Sequence, residues 1–194
     1  MRTRRIARIG TTTVVAMASL ALLLAVPGPA STQDKCRPDQ SQPHNQGAIA
    51  FGARTVLGQT FLPAAPGTRV CWVKLAITKN AAGAGNLTLR LMRSDFTNLD
   101  AAVTIAGAAI PMGNSVQLFD FGCNGLPLAG SPFYGLRLES PGSRLGAYSW
   151  KGAANNPYDK PGNAGRGWRN ANMGAGGWTN LGGWDFAFEI FRCN

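Results

Sequence analysis

The sequence predicts an all-β fold, an antiparallel β-sandwich of about eight or nine strands. Short stretches of alternating apolar and polar residues recur along the chain, and turns rich in glycine, proline and asparagine separate them. Beyond residue 30, no stretch keeps the apolar spacing of about 3.6 residues that an amphipathic helix needs. These two observations favour strands over helices throughout the chain beyond residue 30.

The alternation predicts each strand in turn. It is clearest in Asn86–Arg93, where leucine occupies every second position from 87 to 91, so that one face is apolar and the other is exposed to solvent. The other predicted strands are Gln59–Leu62, Val70–Thr78, Ala101–Ile105, Ser115–Phe121, Phe133–Glu139, Leu145–Lys151 and a last strand from Asp185 to Phe191. The segment Asn155–Trp178, rich in glycine and asparagine, is predicted to be a long functional or mobile loop.

The start of the chain predicts export. Four arginines precede an apolar run, Val14–Val26, that is too short to span a bilayer comfortably, so residues 1–30 are interpreted as a signal peptide that is cleaved before Ser31. Residues 31–47 form a polar lead-in with little structure of its own, and residues 48–194 form a single sandwich domain. We therefore expect a secreted, extracellular monomer that does not associate with the membrane once the signal peptide is removed.

The charge pattern restricts the partners. Removing the four arginines of residues 1–30 lowers the formal net charge from +10 to +6. The remaining basic residues are spread along the chain, without the basic block or helical stripe of a specific nucleic-acid site. The net positive charge predicts weak attraction to anionic polymers.

Four cysteines follow the signal peptide: Cys36, Cys71, Cys123 and Cys193. In an oxidising compartment an even count predicts two disulfides, and the absence of a CxxC pair argues against zinc binding and thiol redox chemistry. Three pairings are open. If the strand that follows Cys71 lies antiparallel to the last strand, Cys71 pairs with Cys193 and Cys36 pairs with Cys123.

Few residues support catalysis. The single histidine, His44, lies in the lead-in. The folded domain therefore has no histidine that could act as the general base of a Ser-His-Asp triad or a Cys-His dyad. Asp185 and Glu189 are the carboxyl pair of a hydrolase hypothesis, but Glu189 is better interpreted as an ion-pair partner for a basic residue on a neighbouring strand. Asp159 alone makes a poor calcium site. We predict no enzymatic activity, no metal and no cofactor.

Several motifs carry a resemblance to a known family. They are Gly58-Gln59-Thr60-Phe61, the Leu-x-Leu-x-Leu strand, Leu126-Pro127-Leu128-Ala129-Gly130-Ser131-Pro132-Phe133-Tyr134-Gly135-Leu136, Tyr148-Ser149-Trp150 with Asn156-Pro157-Tyr158, and Trp184-Asp185-Phe186-Ala187-Phe188. Over residues 48–192 the chain resembles the choice-of-anchor type β-sandwich modules of bacterial extracellular proteins, which are jelly-roll domains similar in outline to galactose-binding-like folds. The resemblance implies a jelly-roll topology and a non-catalytic accessory role.

The candidate binding site lies in residues 148–180. Aromatic rings stack on the C–H face of a pyranose, while amide and charged groups bind its hydroxyl or acidic groups. The predicted ligand-binding residues are Trp150, Tyr158, Asp159, Arg166, Trp168 and Trp178. An alternative for these tryptophans, and the favoured interpretation for Trp150, is that they fill the core. The predicted function is binding of extracellular polysaccharide or cell-envelope polymer; the alternative is a protein-interaction factor, such as an inhibitor or a component of a surface or toxin assembly, that uses the same rim.

Overall fold

The chain folds into two antiparallel sheets. The computed structural model describes residues 36–93, 97–122, 128, 133–155, 158, 165–173 and 175–193. These residues form thirteen strands and no α-helix, which confirms the predicted all-β, sandwich-like fold and shows that the expected strand count was too low. The predictions made for residues 1–30, Cys123 and Asp159 lie outside the described residues.

Each sheet combines strands that are distant in sequence. The seven-stranded sheet contains β1 (Cys36–Gln42), β2 (Gly47–Phe51), β4 (Val70–Lys79), β7 (Gly113–Asp120), β9 (Tyr148–Ala153), β12 (Asp185–Phe186) and β13 (Phe188–Cys193). The six-stranded sheet contains β3 (Val56–Phe61), β5 (Leu87–Arg93), β6 (Asn98–Ile105), β8 (Tyr134–Glu139), β10 (Gly167–Asn170) and β11 (Thr179–Asn180). The first has the order β1-β13-β4-β9-β12, with β2 beside β9 and β7 beside β4; the second has the order β11-β10-β3-β8-β5-β6.

The predicted alternation builds the core. Leu89 on β5 and Leu136 on β8 are fully buried, and they belong to the same apolar cluster as Leu75 on β4 and Phe188 on β13. Residues of both sheets therefore contribute to one core, as the period of two in the sequence requires. Full burial of each such side chain contributes about 1.5–3 kcal/mol to the free energy of unfolding.

Part of the polar lead-in forms a strand, contrary to the sequence prediction of little structure. Residues 36–42 form β1, which pairs antiparallel with β13 from Cys36 opposite Cys193 to Gln42 opposite Phe188. Most of β1 lies partly exposed at a sheet edge, so its polar sequence carries no apolar alternation. Its last residue, Gln42, is buried, and the side-chain amide donates a hydrogen bond to the backbone oxygen of Asp185 at 3.3 Å.

The missed strand β1 also explains an error in the cysteine pairing. As predicted, β13 lies antiparallel to β4. However, β1 lies beside β13, and the disulfide joins Cys36 to Cys71, whose Cα atoms are 5.9 Å apart. The predicted pairs Cys71–Cys193 and Cys36–Cys123 are therefore wrong. Where two disulfides were expected, the described part of the chain shows one.

Another missed strand, besides β1 and β2, lies in the predicted loop Asn155–Trp178. Residues Gly167–Asn170 form β10, which pairs antiparallel with β3 and, on its other side, with the short β11. Four residues are too few for a recognisable alternation, so the sequence alone could not indicate this strand. Its pairing with β3 places Trp168, one of the predicted site residues, on the surface of the six-stranded sheet.

Candidate functional site

The site is built on the outer face of the six-stranded sheet. Four residues lie side by side across four neighbouring strands: Trp168 is opposite Gly58, Gly58 is opposite Arg137, and Arg137 is opposite Arg90. Their neighbours on β3, β5 and β8 include Leu57, which is fully buried in the core. Because successive side chains of a strand point to opposite faces, this row of four residues lies on the outer face.

Trp178 joins this row through Gly58. A Cβ atom added to Gly58 would lie 3.0 Å from Cζ3 and 3.4 Å from Cη2 of the Trp178 ring, so the indole rests directly on the glycine backbone. Trp178 and Trp168 are both partly exposed. The absence of a side chain at position 58 therefore creates a shallow seat beside Trp168, and the second indole occupies it.

Hydrogen bonds hold residues 171–173 and 175–178 over the same face. The side-chain amide of Asn170 donates to the backbone oxygen of Gly176 at 3.1 Å and accepts from the backbone NH of Asn172 at 2.8 Å. Nη2 of Arg137 donates to the backbone oxygen of Met173 at 2.5 Å. Residues on both sides of this stretch are thus tied to β10, and Met173 is also tied to β8, which sets the position of the nearby Trp178.

A buried carboxylate organises the arginines of this face. Glu139 accepts from Nε of Arg90 at 2.6 Å and pairs with Nη2 of Arg137 at 2.7 Å, and only 6% of its side chain is exposed. Two arginines directly opposite each other on adjacent strands would repel, and the carboxylate between them offsets that repulsion. The guanidinium groups are consequently held in place before any ligand arrives, and the row keeps a net positive charge.

Arg166 lies in line with Trp168. Its backbone NH donates to Oγ1 of Thr60 at 2.9 Å, and its backbone oxygen accepts from the NH of Thr60 at 3.0 Å. These bonds extend the pairing of β10 with β3 by one residue beyond Gly167. Arg166 therefore shares the outward orientation of Trp168, two positions further along, and adds a third basic residue to this face.

Trp150 does not belong to the site. It is 0% exposed, stacks on Phe186 with ring centroids 4.4 Å apart, and donates from Nε1 to the backbone oxygen of Ala187 at 3.0 Å. A ring without accessible surface has no face to offer a ligand. The alternative interpretation, that Trp150 fills the core, is the one that the structure supports.

Tyr158 is also part of the interior. It is 6% exposed and packs edge-on against Phe188. Its hydroxyl donates to Oε1 of Gln40 at 2.7 Å and accepts from the backbone NH of Leu62 at 3.4 Å. Burial raises the pKa of Tyr158 to about 12, since the charged phenolate would lose its hydration; the Leu62 hydrogen bond lowers the pKa, whereas Asp39 and Asp185 add to the rise. Tyr158 thus joins β1 to the rest of the domain, and its ring has little accessible surface to offer a ligand.

The two carboxylates of the hydrolase hypothesis are used differently. Asp185 is fully buried and accepts from Nε2 of Gln59 at 3.2 Å and from the backbone NH of Tyr158 at 2.9 Å. Glu189 pairs with Lys74 on the neighbouring strand at 3.5 Å, as the ion-pair interpretation predicted. One carboxylate therefore lies in the interior, while the other is partly exposed on the seven-stranded sheet.

Of the six predicted site residues, the structure brings together Arg166, Trp168 and Trp178. Trp150 and Tyr158 are buried, and Asp159 lies outside the described residues. Sequence reasoning missed the seat at Gly58 and the charged row on β5 and β8. The alternation did place Arg137 and Glu139 on the outward face of their strand, but nothing in a single sequence indicated which strand lies beside it.

Comparison with known proteins adds no relative. A scan against protein-family models finds no match to this chain, and a search of curated proteins finds none either. Among the described residues, no group of three or more histidine, cysteine, aspartate or glutamate side chains is arranged to hold a metal ion. The same residues form no helix with the length and hydrophobicity that crossing a membrane requires.

Proposed function

We propose that this protein is a secreted, non-catalytic β-sandwich module that binds extracellular polysaccharide or cell-envelope polymer. Trp168, Trp178 and Arg166 on the outer face of the six-stranded sheet are the contact residues. The observation that carries the proposal is the placement of the Trp178 indole on Gly58, in the same row as Trp168 and the fixed arginines.

The chemistry of this face suits a sugar polymer with acidic groups. An indole offers an apolar surface to the C–H side of a pyranose ring, and a sheet surface lets an extended chain lie across several strands. Arginine forms paired hydrogen bonds with carboxylate and phosphate groups. The formal charge of +6 that remains without residues 1–30 attracts an anionic polymer over a longer range.

The sequence supports the same proposal in two further ways. The resemblance to choice-of-anchor type modules, with their jelly-roll topology, implies an accessory binding role. The basic and then apolar start of the chain implies export to the compartment where such polymers occur. A disulfide between Cys36 and Cys71 agrees with an oxidising environment.

Binding to defined polymers tests the proposal. The purified protein would be mixed with insoluble cellulose, chitin and peptidoglycan, and with a soluble uronate polymer followed by calorimetry. We expect at least one of these polymers to bind, and Trp168→Ala and Trp178→Ala each to weaken binding about tenfold or more, as the loss of a central aromatic contact does. Arg166→Gln should weaken binding to the acidic polymers more than to the neutral ones.

Trp72→Ala is the matched control, because it removes a partly exposed tryptophan from the opposite sheet, where Trp72 packs against Phe191. Its affinity should equal that of the unmodified protein. Binding that survives both substitutions on the six-stranded sheet would refute the site. If no polymer binds and a protein co-purifies from culture medium instead, the function is protein interaction.

A further inference from the structure

Strand β7 lies at one edge of the seven-stranded sheet. Among the described strands it forms a ladder only with β4, and that ladder runs through eight consecutive residue pairs, from Lys79 opposite Gly113 to Trp72 opposite Asp120, without a shift of register. An edge strand of this length presents its outward backbone NH and C=O groups as a template for another strand. The edge is therefore regular and long enough to continue the sheet.

The sequence of β7 lacks the usual protection of an edge. Natural edge strands avoid pairing through proline, lysine, bulges or inward-pointing charges. The strand reads Gly-Asn-Ser-Val-Gln-Leu-Phe-Asp, so it contains neither proline nor a basic residue, and its one charged residue, Asp120, stands at the end. Nothing in these eight residues discourages a further strand.

Exposed apolar side chains cluster at this edge. Four large hydrophobic residues of the described chain are strongly exposed, and three of them belong to β7 or directly precede it: Met112 at 55%, Val116 at 66% and Leu118 at 46%. Val116 and Leu118 are two positions apart and share the outer face of the sheet. Clustered exposed apolar groups of this kind mark interaction surfaces.

We propose that β7 pairs antiparallel with β7 of a second copy of this chain, about a two-fold axis at Gln117, so that two seven-stranded sheets become one continuous sheet. In this register Val116 of each copy lies opposite Leu118 of the other, and Asn114 lies opposite Asp120. A two-fold interface requires such self-complementarity, because each contact occurs twice.

The side chains of β7 favour this register over its neighbours. An axis at Gln117 brings the four apolar side chains together and sets each carboxylate against a neutral amide. Moving the axis to Val116 places Leu118 opposite Asn114, and moving it to Leu118 places Val116 opposite Asp120. Both shifts set an apolar side chain against a polar or charged one. A second copy thus completes this edge without any additional molecule, and the dimer replaces the monomer expected from the sequence.

The oligomeric state tests the proposal. Sedimentation of the purified protein over a range of concentrations should show a monomer–dimer equilibrium. The double variant Val116→Lys/Leu118→Lys places lysines opposite lysines across the axis, which is strongly unfavourable, and should raise the dissociation constant at least about 100-fold. Leu145→Lys makes the same kind of change at a residue that is 61% exposed but lies outside β7, and should leave the equilibrium unchanged.

Cysteine cross-linking tests the register without relying on the lysine variant. An equal mixture of Val116→Cys and Leu118→Cys chains should form cross-linked dimers under mild oxidation, and each variant alone should form far fewer. A monomer at every concentration would overturn the proposal. So would a dimer that the lysine variant leaves intact, or cross-linking that is no more efficient in the mixture than in the separate variants.

Discussion

The Trp178 indole rests on Gly58, and this contact links the candidate site to the register of the sheet. A Cβ at position 58 would lie 3.0 Å from the ring, closer than a comfortable van der Waals contact. Gly58 is also the direct partner of Trp168 on β10 and of Arg137 on β8. One small residue therefore determines how closely the second indole approaches the first indole and the arginines.

Gly58→Ala should displace the Trp178 ring by a few tenths of an ångström while the strand remains paired. We expect the polymer affinity to fall about fivefold, which corresponds to about 1 kcal/mol of lost contact, and the tryptophan emission to shift. Calorimetry and fluorescence measure the two effects. Gly83→Ala is the control, since a Cβ there meets no atom within 4 Å. Unchanged binding by Gly58→Ala would show that the position of Trp178 is irrelevant to the ligand.

The parts of the fold that the sequence predicts are those whose side chains alternate. The leucines at 87, 89 and 91 are buried as expected, because a half-buried strand must place every second residue in the core. The lead-in strand β1 was missed because it lies mostly exposed at an edge, where alternation has no energetic basis. The four residues of β10 are held by backbone pairing with β3, to which their own composition gives no clue.

The candidate site was partly predictable for a related reason. Composition indicated a segment rich in tryptophan and arginine, but it could not tell a core tryptophan from a surface one. Trp150 lies within a strand that forms ladders on both sides and is buried, whereas Trp168 lies on the outer face and is partly exposed. That difference depends on which strands become neighbours, and only the folded chain shows it.

Trp150→Ala should be a stability variant instead of a binding variant. Loss of a fully buried indole that stacks on Phe186 is expected to cost about 3–5 kcal/mol of unfolding free energy. Trp168→Ala, at a partly exposed position, should cost about 1 kcal/mol or less. Urea unfolding followed by circular dichroism separates the two variants. A Trp150→Ala protein that is as stable as the unmodified protein but no longer binds polymer would show that Trp150 contributes to the binding site.

The disulfide should contribute substantially to stability because it closes a long loop. Cys36 and Cys71 are 35 residues apart in sequence, and the chain-entropy relation gives about 3–4 kcal/mol for a loop of that length. The double variant Cys36→Ala/Cys71→Ala should therefore melt roughly 10 °C lower than the unmodified protein. A reducing agent should narrow the difference, since both proteins then lack this bond. Equal melting temperatures in oxidising buffer would contradict the pairing.

Tyr158 should make the protein sensitive to alkali. Because burial raises its pKa to about 12, above the ordinary tyrosine value of 10.0, the neutral phenol is favoured in the folded state. The corresponding stability is fully present below pH 10 and is lost as the pH rises towards 12. Over that interval the Tyr158→Phe variant should lose less stability than the unmodified protein. At neutral pH the variant should be about 1–2 kcal/mol less stable than the unmodified protein, because Gln40 and Leu62 lose a hydrogen-bond partner. Thermal unfolding at a series of alkaline pH values measures both effects.

Asp39 should make the stability of the protein depend on pH in the acidic range. Its side chain is 0% exposed; burial raises its pKa above 3.8, although a hydrogen bond from Ala64 and the charge of Arg192 lower it. The raised pKa means that the folded state favours the protonated carboxyl. This group therefore stabilises the fold below about pH 3.8, and its contribution disappears as the pH rises through the raised value.

Asp39→Asn removes the buried charge and keeps an oxygen that can accept from Ala64. The variant should therefore unfold at a higher temperature than the unmodified protein at pH 7, and the difference should shrink on acidification, as calorimetric scans at several pH values would show. A variant that is less stable at pH 7 would mean that the pairing with Arg192 outweighs the cost of burial.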